Sequence, residues 1–296
     1  MTRLLALLPL MAGCLAFHRG PMPGEPEAAT YVEVDGVRVR YRDAGQGPAV
    51  VLLHGFASSL EAWERVTSAL EPGHRVISLD LKGFGWTDRP EGDYSPDAQA
   101  KLVLGLLDRL GVDRAAVVGH SWGASVALAM ALAAPERVTR LALYDVWAYE
   151  DQLPTFFVWA RAGGLGESIF WLYYKERAED RLSMAFFDQR FVTARLIDDV
   201  DRALERPGTV AAALAAVRGQ RYAEWEARYK QVTQDTLLLW GREDRVTPLA
   251  IGERLVRQLP RAWLVSYPRC GHFPMLEAAA ESTAELARFL DAGAGR

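Results

Sequence analysis

The feature that most constrains this chain is a short apolar run that ends in Gly119-His-Ser-Trp-Gly123 and continues as a helical pattern. A strand that turns into a helix within about five residues has a strained backbone and brings neighbouring chains close together. Gly119 and Gly123 leave room for that approach, and Ala124 adds a third small residue. The pattern therefore predicts a tight turn that exposes the Ser121 hydroxyl between the end of a strand and the start of a helix.

Apolar strand runs alternate with helical patterns on both sides of this turn. Asp35-Gly36 lies between two alternating segments and predicts an antiparallel hairpin at the start of the sheet. The later runs are separated by helical stretches, which is typical of parallel strands joined by right-handed crossovers. We therefore expect an α/β fold, with a mostly parallel, eight-stranded open sheet and helices on both faces. The parallel strands are predicted at residues 49–53, 75–79, 115–119, 138–144, 236–240 and 263–266.

The strand signal stops after Asp145 for about ninety residues. Residues 147–229 have the pattern of several helices and carry 15 of the 30 aromatic residues. We expect them to form an inserted helical cap over the carboxyl edge of the sheet, where open α/β sheets bind ligands. The core is then made of residues 30–146 and 230–296. More than half of the cap's aromatic side chains should fill the cap itself, and the rest should line an apolar chamber.

The first twenty residues differ in character from the rest. A short basic start precedes an apolar run at residues 4–12, which is too short to span a bilayer. The small residues before Cys14 resemble a bacterial lipobox, with Met11 where leucine is more usual. The resemblance implies a signal peptide at 1–14, a lipid anchor on Cys14 and a Pro- and Gly-rich tether at 15–29. It places the protein at the outer membrane, facing the periplasm. An ordinary cleaved signal, on a soluble periplasmic or secreted protein, is the alternative.

The overall charge is modest, at −4, and 24% of the residues are charged. Nothing in this balance indicates nucleic acid as a partner, so we expect a small, neutral substrate. Cys14 and Cys270 are the two cysteines, so a lipidated Cys14 leaves no intramolecular disulfide. The sequence leaves the oligomeric state open.

A serine hydroxyl is a weak nucleophile until a base removes its proton. Of the five histidines, His272 lies on the loop that leaves the last predicted strand, which gives the chain order serine, acid, histidine. We expect His272 to be the base. Asp244 follows the preceding strand and is the expected acid, while Asp145, at the end of an earlier strand, is the alternative.

Acyl transfer also needs hydrogen-bond donors for the oxyanion that forms on the substrate. The N–H of Trp122 lies at the start of a helix, whose dipole favours negative charge. The second expected donor is the N–H of Phe56, because Gly55 lets the backbone of that loop turn inward. This chemistry requires neither a metal nor a cofactor, and none is expected.

Five segments follow one another in a recognisable order: His54-Gly55, Asp80-Leu-Lys-Gly-Phe-Gly-Trp-Thr-Asp88, the Ser121 turn, Gly241-Arg-Glu-Asp244 and Gly271-His-Phe-Pro274. Together they resemble the α/β-hydrolase fold family, in its capped serine-hydrolase branch of esterase- and lipase-like enzymes. The match covers nearly all of residues 31–290. The Ser121 turn is similar to that of epoxide hydrolases, with serine where they have aspartate, which argues against epoxide and haloalkane chemistry.

The resemblance implies a serine hydrolase that cleaves a carboxylic ester with a small to medium apolar part, through an acyl-enzyme on Ser121. Carbon–carbon bond hydrolysis of a diketone-type substrate, perhydrolysis and aminopeptidase cleavage use the same triad and remain alternatives. The carbon–carbon branch usually has a longer, glycine-rich oxyanion loop than residues 55–59. An aminopeptidase needs a cap carboxylate, for which the candidates are Glu150, Asp151 and Glu167. A lipoprotein that binds an apolar ligand without catalysis is the alternative from another class.

Overall fold

The computed structural model describes residues 16–174 and 178–292. Eight strands form one sheet in the order β1-β2-β4-β3-β5-β6-β7-β8. The pairs β1–β2 and β2–β4 are antiparallel, and the other neighbours are parallel. This confirms the predicted α/β class with its mostly parallel sheet. The strands are β1 Thr30–Val34, β2 Val37–Ala44, β3 Ala49–Leu53, β4 Arg75–Leu79, β5 Ala115–His120, β6 Val138–Tyr144, β7 Asp235–Gly241 and β8 Ala262–Tyr267.

Helices cover both faces of the sheet and form the insertion between β6 and β7. Within the described ranges the α-helices are α1 Glu64–Leu70, α2 Pro96–Arg109, α3 Trp122–Ala133, α4 Thr155–Ala160, α5 Leu165–Tyr174, α6 Ala178–Ala185, α7 Ala194–Glu205, α8 Thr209–Gly219, α9 Leu249–Gln258, α10 Pro274–Glu277 and α11 Ala279–Asp291. Short 3₁₀ turns occur at Leu60–Trp63, Glu150–Gln152, Gln189–Phe191 and Glu226–Gln231.

Successive residues of β3 show why the sheet needs helices on both faces. Val51 and Leu53 belong to one apolar cluster, together with side chains of α2 and α3. Val50 and Leu52 belong to a second cluster, with side chains of α1 and α11. Because neighbouring strand residues point to opposite faces, a run that is apolar throughout must be covered on both. All four side chains are 0–1% exposed.

The antiparallel start of the sheet follows from one tight turn. Asp35 and Gly36 have φ values of +49° and +75°, in the left-handed region that a two-residue hairpin of this kind requires. Val34 pairs with Val37 across the turn. The predicted hairpin is therefore present, and its second strand continues to Ala44.

The insertion lies between Tyr144 and Asp235 and is helical, with α4 to α8 as its main elements. Its last 3₁₀ turn, Glu226–Gln231, crosses the cap boundary that the sequence predicts at residue 229. The pattern of residues 275–290 predicts one closing helix, but Ala278 within it has non-helical torsion angles of −117° and 43°. This residue divides the predicted helix into α10 and α11.

The segment assigned to a tether lies against the core in the part that the structure describes. His18 forms an antiparallel bridge with Arg89, with N···O distances of 2.9 and 2.8 Å. Glu25 forms an ion pair with Arg38. Met22 is buried and its sulfur accepts a hydrogen bond from Arg89. Residues 17–25 are thus part of the folded domain, while Cys14 and the predicted signal peptide lie outside the described residues. In the described residues no helix has the length and apolar character to cross a bilayer.

Candidate active site

Ser121 joins β5 directly to α3 and has torsion angles of φ +53° and ψ −117°. A non-glycine residue in this region is strained, and it is held here by close packing on both sides. A Cβ on Gly119 would lie 2.6 Å from the Cα of Ala124, and one on Gly123 would lie 2.4 Å from the carbonyl oxygen of Leu53. Glycine at positions 119 and 123 therefore allows close backbone contacts, as predicted. These contacts fix the position of Ser121.

His272 and Asp244 meet at the carboxyl ends of the last two strands. The distance from His272 Nδ1 to Asp244 Oδ2 is 2.7 Å. Both side chains are buried, with 5% of each residue exposed. Asp145, the alternative acid, has no hydrogen bond to His272 among the described contacts. Asp244 is therefore the carboxylate that is hydrogen-bonded to the histidine, while Asp145 lies nearby without such a bond among the described residues.

Thr247 holds the Asp244 carboxylate and was not identified from the sequence. Its hydroxyl donates to Asp244 Oδ2 at 2.5 Å, and its amide donates to Oδ1 at 3.0 Å. The amide of Val246 adds a third bond to Oδ1 at 2.7 Å. Burial raises the pKa of Asp244, but His272 and the donors of Thr247 outweigh it and lower the pKa. The group is therefore held as a carboxylate.

The His272 loop is fixed through its own backbone. The His272 amide donates to the carbonyl of Ala185 in the insertion at 2.7 Å. Its carbonyl lies 2.7 Å from Nε2 of His120, whose ring centroid is 4.7 Å from that of His272. Burial, and then the neighbouring His272, hold the pKa of His120 well below the usual histidine value. A neutral His120 with its proton on Nε2 is then the donor to the His272 carbonyl.

Ser121 lies beside His120 in the chain, so it shares this small region with His272. It is 2% exposed, and no hydrogen bond joins its hydroxyl to His272 among the described residues. Catalytic hydrogen bonds are often long in enzymes without substrate and tighten when it binds. The histidine–acid contact is therefore formed, and Ser121 follows the residue whose ring packs against that of His272.

The two expected oxyanion donors have free amides. Among the described contacts, neither the Phe56 N–H nor the Trp122 N–H donates a hydrogen bond. The Phe56 loop is fixed by His54, whose Nδ1 lies 2.7 Å from the Gly55 carbonyl and whose Nε2 accepts from the Leu81 amide at 2.9 Å. Burial lowers the pKa of His54 and keeps it neutral. A Cβ at Gly55 would lie 3.2 Å from the Ser121 Cβ, so the loop lies directly against the serine.

Aromatic rings surround Phe56 from both the core and the insertion. Phe84 and Trp122 come from the core, with ring centroids at 5.3 and 6.2 Å. Phe157 and Tyr174 come from the insertion, at 5.5 and 6.4 Å. The Tyr174 hydroxyl and the Trp122 indole N–H are buried and have no hydrogen-bond partner in the described structure. The side chains around Phe56 are thus mainly apolar, and two of them carry a polar hydrogen that has no acceptor among the described residues.

The cap carboxylates proposed for an aminopeptidase are engaged elsewhere. Glu150 forms an ion pair with Arg161 and accepts from the Tyr222 amide. Asp151 pairs with Arg254, and Glu167 pairs with Arg218. Glu167 and Arg218 border a surface cleft of about 700 Å³, which is lined in part by Phe17, Tyr94 and Leu214. None of the triad residues lines this cleft. These contacts do not support the aminopeptidase alternative.

Two further features near the site are the Cys270 thiol, a possible second nucleophile, and a cluster of possible metal ligands. Cys270 is fully buried, and its surroundings raise the pKa of its thiol, so it is held as an unreactive thiol. Asp145, Asp244 and His272 each bring a ligand atom within 4.8 Å of the others. The latter two already satisfy each other through their hydrogen bond, so we interpret the cluster as a proton-bonded unit and not as a metal site.

Comparison with known proteins adds the family and its relatives. The family model for the alpha/beta hydrolase fold matches residues 48–279. The 2-hydroxymuconate semialdehyde hydrolase of Pseudomonas sp. (strain CF600) is 32% identical over 278 residues, covering 90% of this chain and 94% of that protein.

Two solved structures extend the comparison. The meta-cleavage product hydrolase CumD from Pseudomonas fluorescens IP01 is 28% identical, with a TM-score of 0.74, and the alignment covers 88% of this chain and 97% of that one. A membrane phospholipase A, described as a bacterial virulence factor, is 27% identical with a TM-score of 0.73, covering 100% of this chain and 92% of that one. The order of the strands, the insertion after β6 and the match over residues 48–279 agree: this chain belongs to the α/β-hydrolase fold family.

Proposed function

We propose that this protein is a serine hydrolase in which Ser121 carries the acyl group of the substrate as a covalent ester. The observation that supports this most is the 2.7 Å contact of His272 with Asp244, beside a strained serine at the start of α3. His272 takes the Ser121 proton as the hydroxyl oxygen adds to the carbonyl carbon. Asp244 orients the imidazole and stabilises its charged form.

We assign the amides of Phe56 and Trp122 as the donors that stabilise the negative charge developing on the carbonyl oxygen. Both N–H groups lie beside Ser121 and have no acceptor among the described residues, and the Trp122 amide also has the dipole of α3 behind it. Removing one such donor typically costs about 2.7–4 kcal/mol of barrier stabilisation. These two donors account for a large part of the expected rate acceleration.

For the bond that is broken, we propose carbon–carbon bond hydrolysis as the first candidate. The relatives named above include carbon–carbon bond hydrolases matched over 88–90% of this chain, and they support this alternative more directly than ester cleavage. The apolar, aromatic surroundings of Phe56 suit a flat, conjugated ketone. The substrate reacts as its 2-oxo tautomer, in which the enol proton has moved to the carbon next to the attacked carbonyl. After Ser121 adds to that aldehyde or ketone carbonyl, the electron pair of the broken bond passes through the conjugated double bond into the 2-oxo group of the leaving part. The proton on His272 then goes to the leaving carbon, and water hydrolyses the acyl-enzyme.

Carboxylic ester hydrolysis is the second candidate. It is favoured by the likeness to a phospholipase A that spans the whole of this chain. An alkoxide leaving group needs only the proton on His272, so the residues at the site suffice for it. The oxyanion loop of residues 55–59 also lacks the longer glycine-rich sequence expected of the carbon–carbon branch.

The experiment has two steps. Labelling with a fluorophosphonate probe should modify wild type and leave Ser121→Ala unmodified, and an unlabelled wild type would favour the ligand-binding alternative. The kcat/KM for 2-hydroxymuconate semialdehyde is then compared with those for p-nitrophenyl esters from acetyl to palmitoyl. A preference for the conjugated semialdehyde supports the first candidate. A preference for an ester overturns it in favour of the second, and the best chain length then reports the size of the chamber.

For its location, we propose an exported lipoprotein anchored through Cys14, with its fold facing the periplasm. This proposal rests on the lipobox-like sequence before Cys14. The lipid on Cys14 then holds the enzyme at the membrane. His18, which already contacts the core, follows only four residues later. The fractionation experiment that tests it is given in the Discussion.

A further inference from the structure

Asp145 is the first residue after β6 and lies in the interior beside the candidate triad. Its φ of +44° is in the left-handed region, and its side chain is fully buried. Its amide donates to the Leu239 carbonyl at 3.1 Å, and its own carbonyl oxygen lies 3.2 Å from the Thr247 hydroxyl, whose proton goes to the nearer Asp244 Oδ2. The residue is therefore held by β7 on one side and by the Asp244 loop on the other.

The two oxygens of the Asp145 carboxyl group have different surroundings. Oδ1 accepts the Gly241 amide at 3.0 Å. Oδ2 is buried and has no donor among the described residues. A carboxyl oxygen of Asp145 lies within 4.8 Å of one from Asp244 and of a His272 ring nitrogen. An oxygen in this position needs either a donor or a proton of its own.

Two carboxyl groups this close in a buried site do not both ionise. Asp244 has three donors and His272 on its two oxygens, which favours its charged form. Burial, followed by the charge of Asp244, raises the pKa of Asp145 well above its usual value, and Glu277 acts in the same direction. The nearby Cys270 thiol and Tyr144 hydroxyl are neutral, since the pKa of each is raised by burial.

We propose that Asp145 is a positioning residue: a neutral carboxylic acid that donates its proton from Oδ2 to the Asp244 carboxylate. The donated hydrogen bond fixes the rotation of the Asp244 carboxylate, so that Oδ2 of that group stays in line with His272 Nδ1. The Asp145 proton remains in place through the reaction, and the moving proton travels only between Ser121, His272 and the substrate. This inference rests on the proposed serine hydrolase.

The first test separates the hydrogen bond from the backbone. Asp145→Asn keeps a donor toward Asp244 and an acceptor for the Gly241 amide, and asparagine tolerates a positive φ. Asp145→Gly keeps the backbone and removes both contacts. We expect Asp145→Asn to retain wild-type kcat within about threefold and Asp145→Gly to lose about tenfold or more.

The pH profile distinguishes positioning from general damage. Without this donor, the negative charge of Asp244 acts more strongly on His272 and stabilises its protonated form. The acid limb of the kcat/KM profile should therefore move to higher pH in Asp145→Gly. We expect a shift of up to about one pH unit and no shift in Asp145→Asn. Equal profiles in all three proteins, or a loss in Asp145→Asn as large as in Asp145→Gly, would overturn the proposal.

The second test needs no substrate, so it stands even if the proposed reaction is wrong. Because the folded-state pKa of Asp145 is raised, the folded protein binds a proton that the unfolded chain releases above about pH 4. The free energy of unfolding of wild type therefore falls as pH rises toward the folded pKa of Asp145. Asparagine does not titrate, so Asp145→Asn does not show this loss. The Tm of Asp145→Asn minus that of wild type should therefore grow between about pH 4.5 and about pH 8. Parallel Tm curves would show that Asp145 is not held protonated and would overturn the inference.

Discussion

The amide of His272 donates a 2.7 Å hydrogen bond to the carbonyl of Ala185, the last residue of α6. The loop that carries the candidate base is therefore attached directly to the insertion. A movement of α6 must move or break this bond. The position of the cap and the position of the base are thus coupled through one backbone contact.

This coupling can be tested at Gly271, the residue before His272. A Cβ at this position would lie 2.4 Å from the Ala185 carbonyl oxygen and 2.7 Å from the Phe187 amide. Gly271→Ala should push the loop and the cap apart and lower kcat by up to about 100-fold, because a displacement of about 1 Å has such effects. The matched control is Gly163→Ala, also in the insertion, where a Cβ would meet nothing within 4 Å. Equal activities of the two variants would contradict the coupling.

Ser121→Ala and His272→Ala should each lower kcat by several orders of magnitude while leaving Tm near that of wild type. The nucleophile and the base act as one unit, so the double variant should be little worse than either single one. Steady-state kinetics with the preferred substrate gives the comparison. Wild-type turnover by Ser121→Ala would exclude the serine mechanism.

Asp244→Asn should cost about 10⁴ in kcat if the histidine then takes the wrong tautomer, as in other triads. Asp145→Asn should cost far less, because Asp145 makes no described hydrogen bond to His272. Both variants are compared in one assay at the pH optimum of wild type. The reverse order would assign the acid role to Asp145.

A protein that starts at Ala16 should match the full-length chain in Tm and activity, whereas one that starts at Glu27 should be less stable. The shorter protein loses the His18 bridge to Arg89 and the Met22 contact with the buried guanidinium. Each loss of about 1 kcal/mol lowers Tm by about 2–4 °C in a domain of roughly this size. Thermal unfolding of both truncations measures the difference, and equal Tm values would mean that residues 17–25 do not contribute to the fold.

Cys14→Ser should move the protein from the membrane fraction to the soluble fraction and leave kcat unchanged. A lipid anchor on Cys14 lies before the first described residue and does not touch the site around Ser121. Cell fractionation with the same activity assay in each fraction provides the measurement. If wild type and Cys14→Ser are both soluble, the lipoprotein proposal fails and an ordinary signal replaces it.

The parts of the site that follow from strand ends could be predicted from the sequence. Ser121 directly follows β5, and Asp244 and His272 lie on the loops that leave β7 and β8. A parallel sheet brings those strand ends to one edge. The Thr247 contact could also have been found, because Asp-x-x-Thr after a strand is a pattern in which the carboxylate accepts the amides that follow it. That signal is short, so by itself it does not indicate a role in a catalytic site.

The contacts made by the insertion could not be predicted. Helical periodicity locates α4 to α8 along the chain but does not specify how they lie on the core. Ala185, Phe157 and Tyr174 reach the site through such packing. The same holds for residues 17–25, whose composition is typical of a spacer. Their docking depends on buried contacts with Arg89, more than sixty residues away in the chain.

The near-complete burial of Ser121, at 2% exposed, also bears on the fate of the acyl-enzyme. At this degree of burial a nucleophile must be small to reach the ester carbon, and water is smaller than any alcohol. Partitioning should therefore favour release of the free acid over transfer to an added alcohol. Loosening the contact between α6 and the His272 loop would shift that ratio toward transacylation, so the cap contributes to the choice of acceptor as well as of donor.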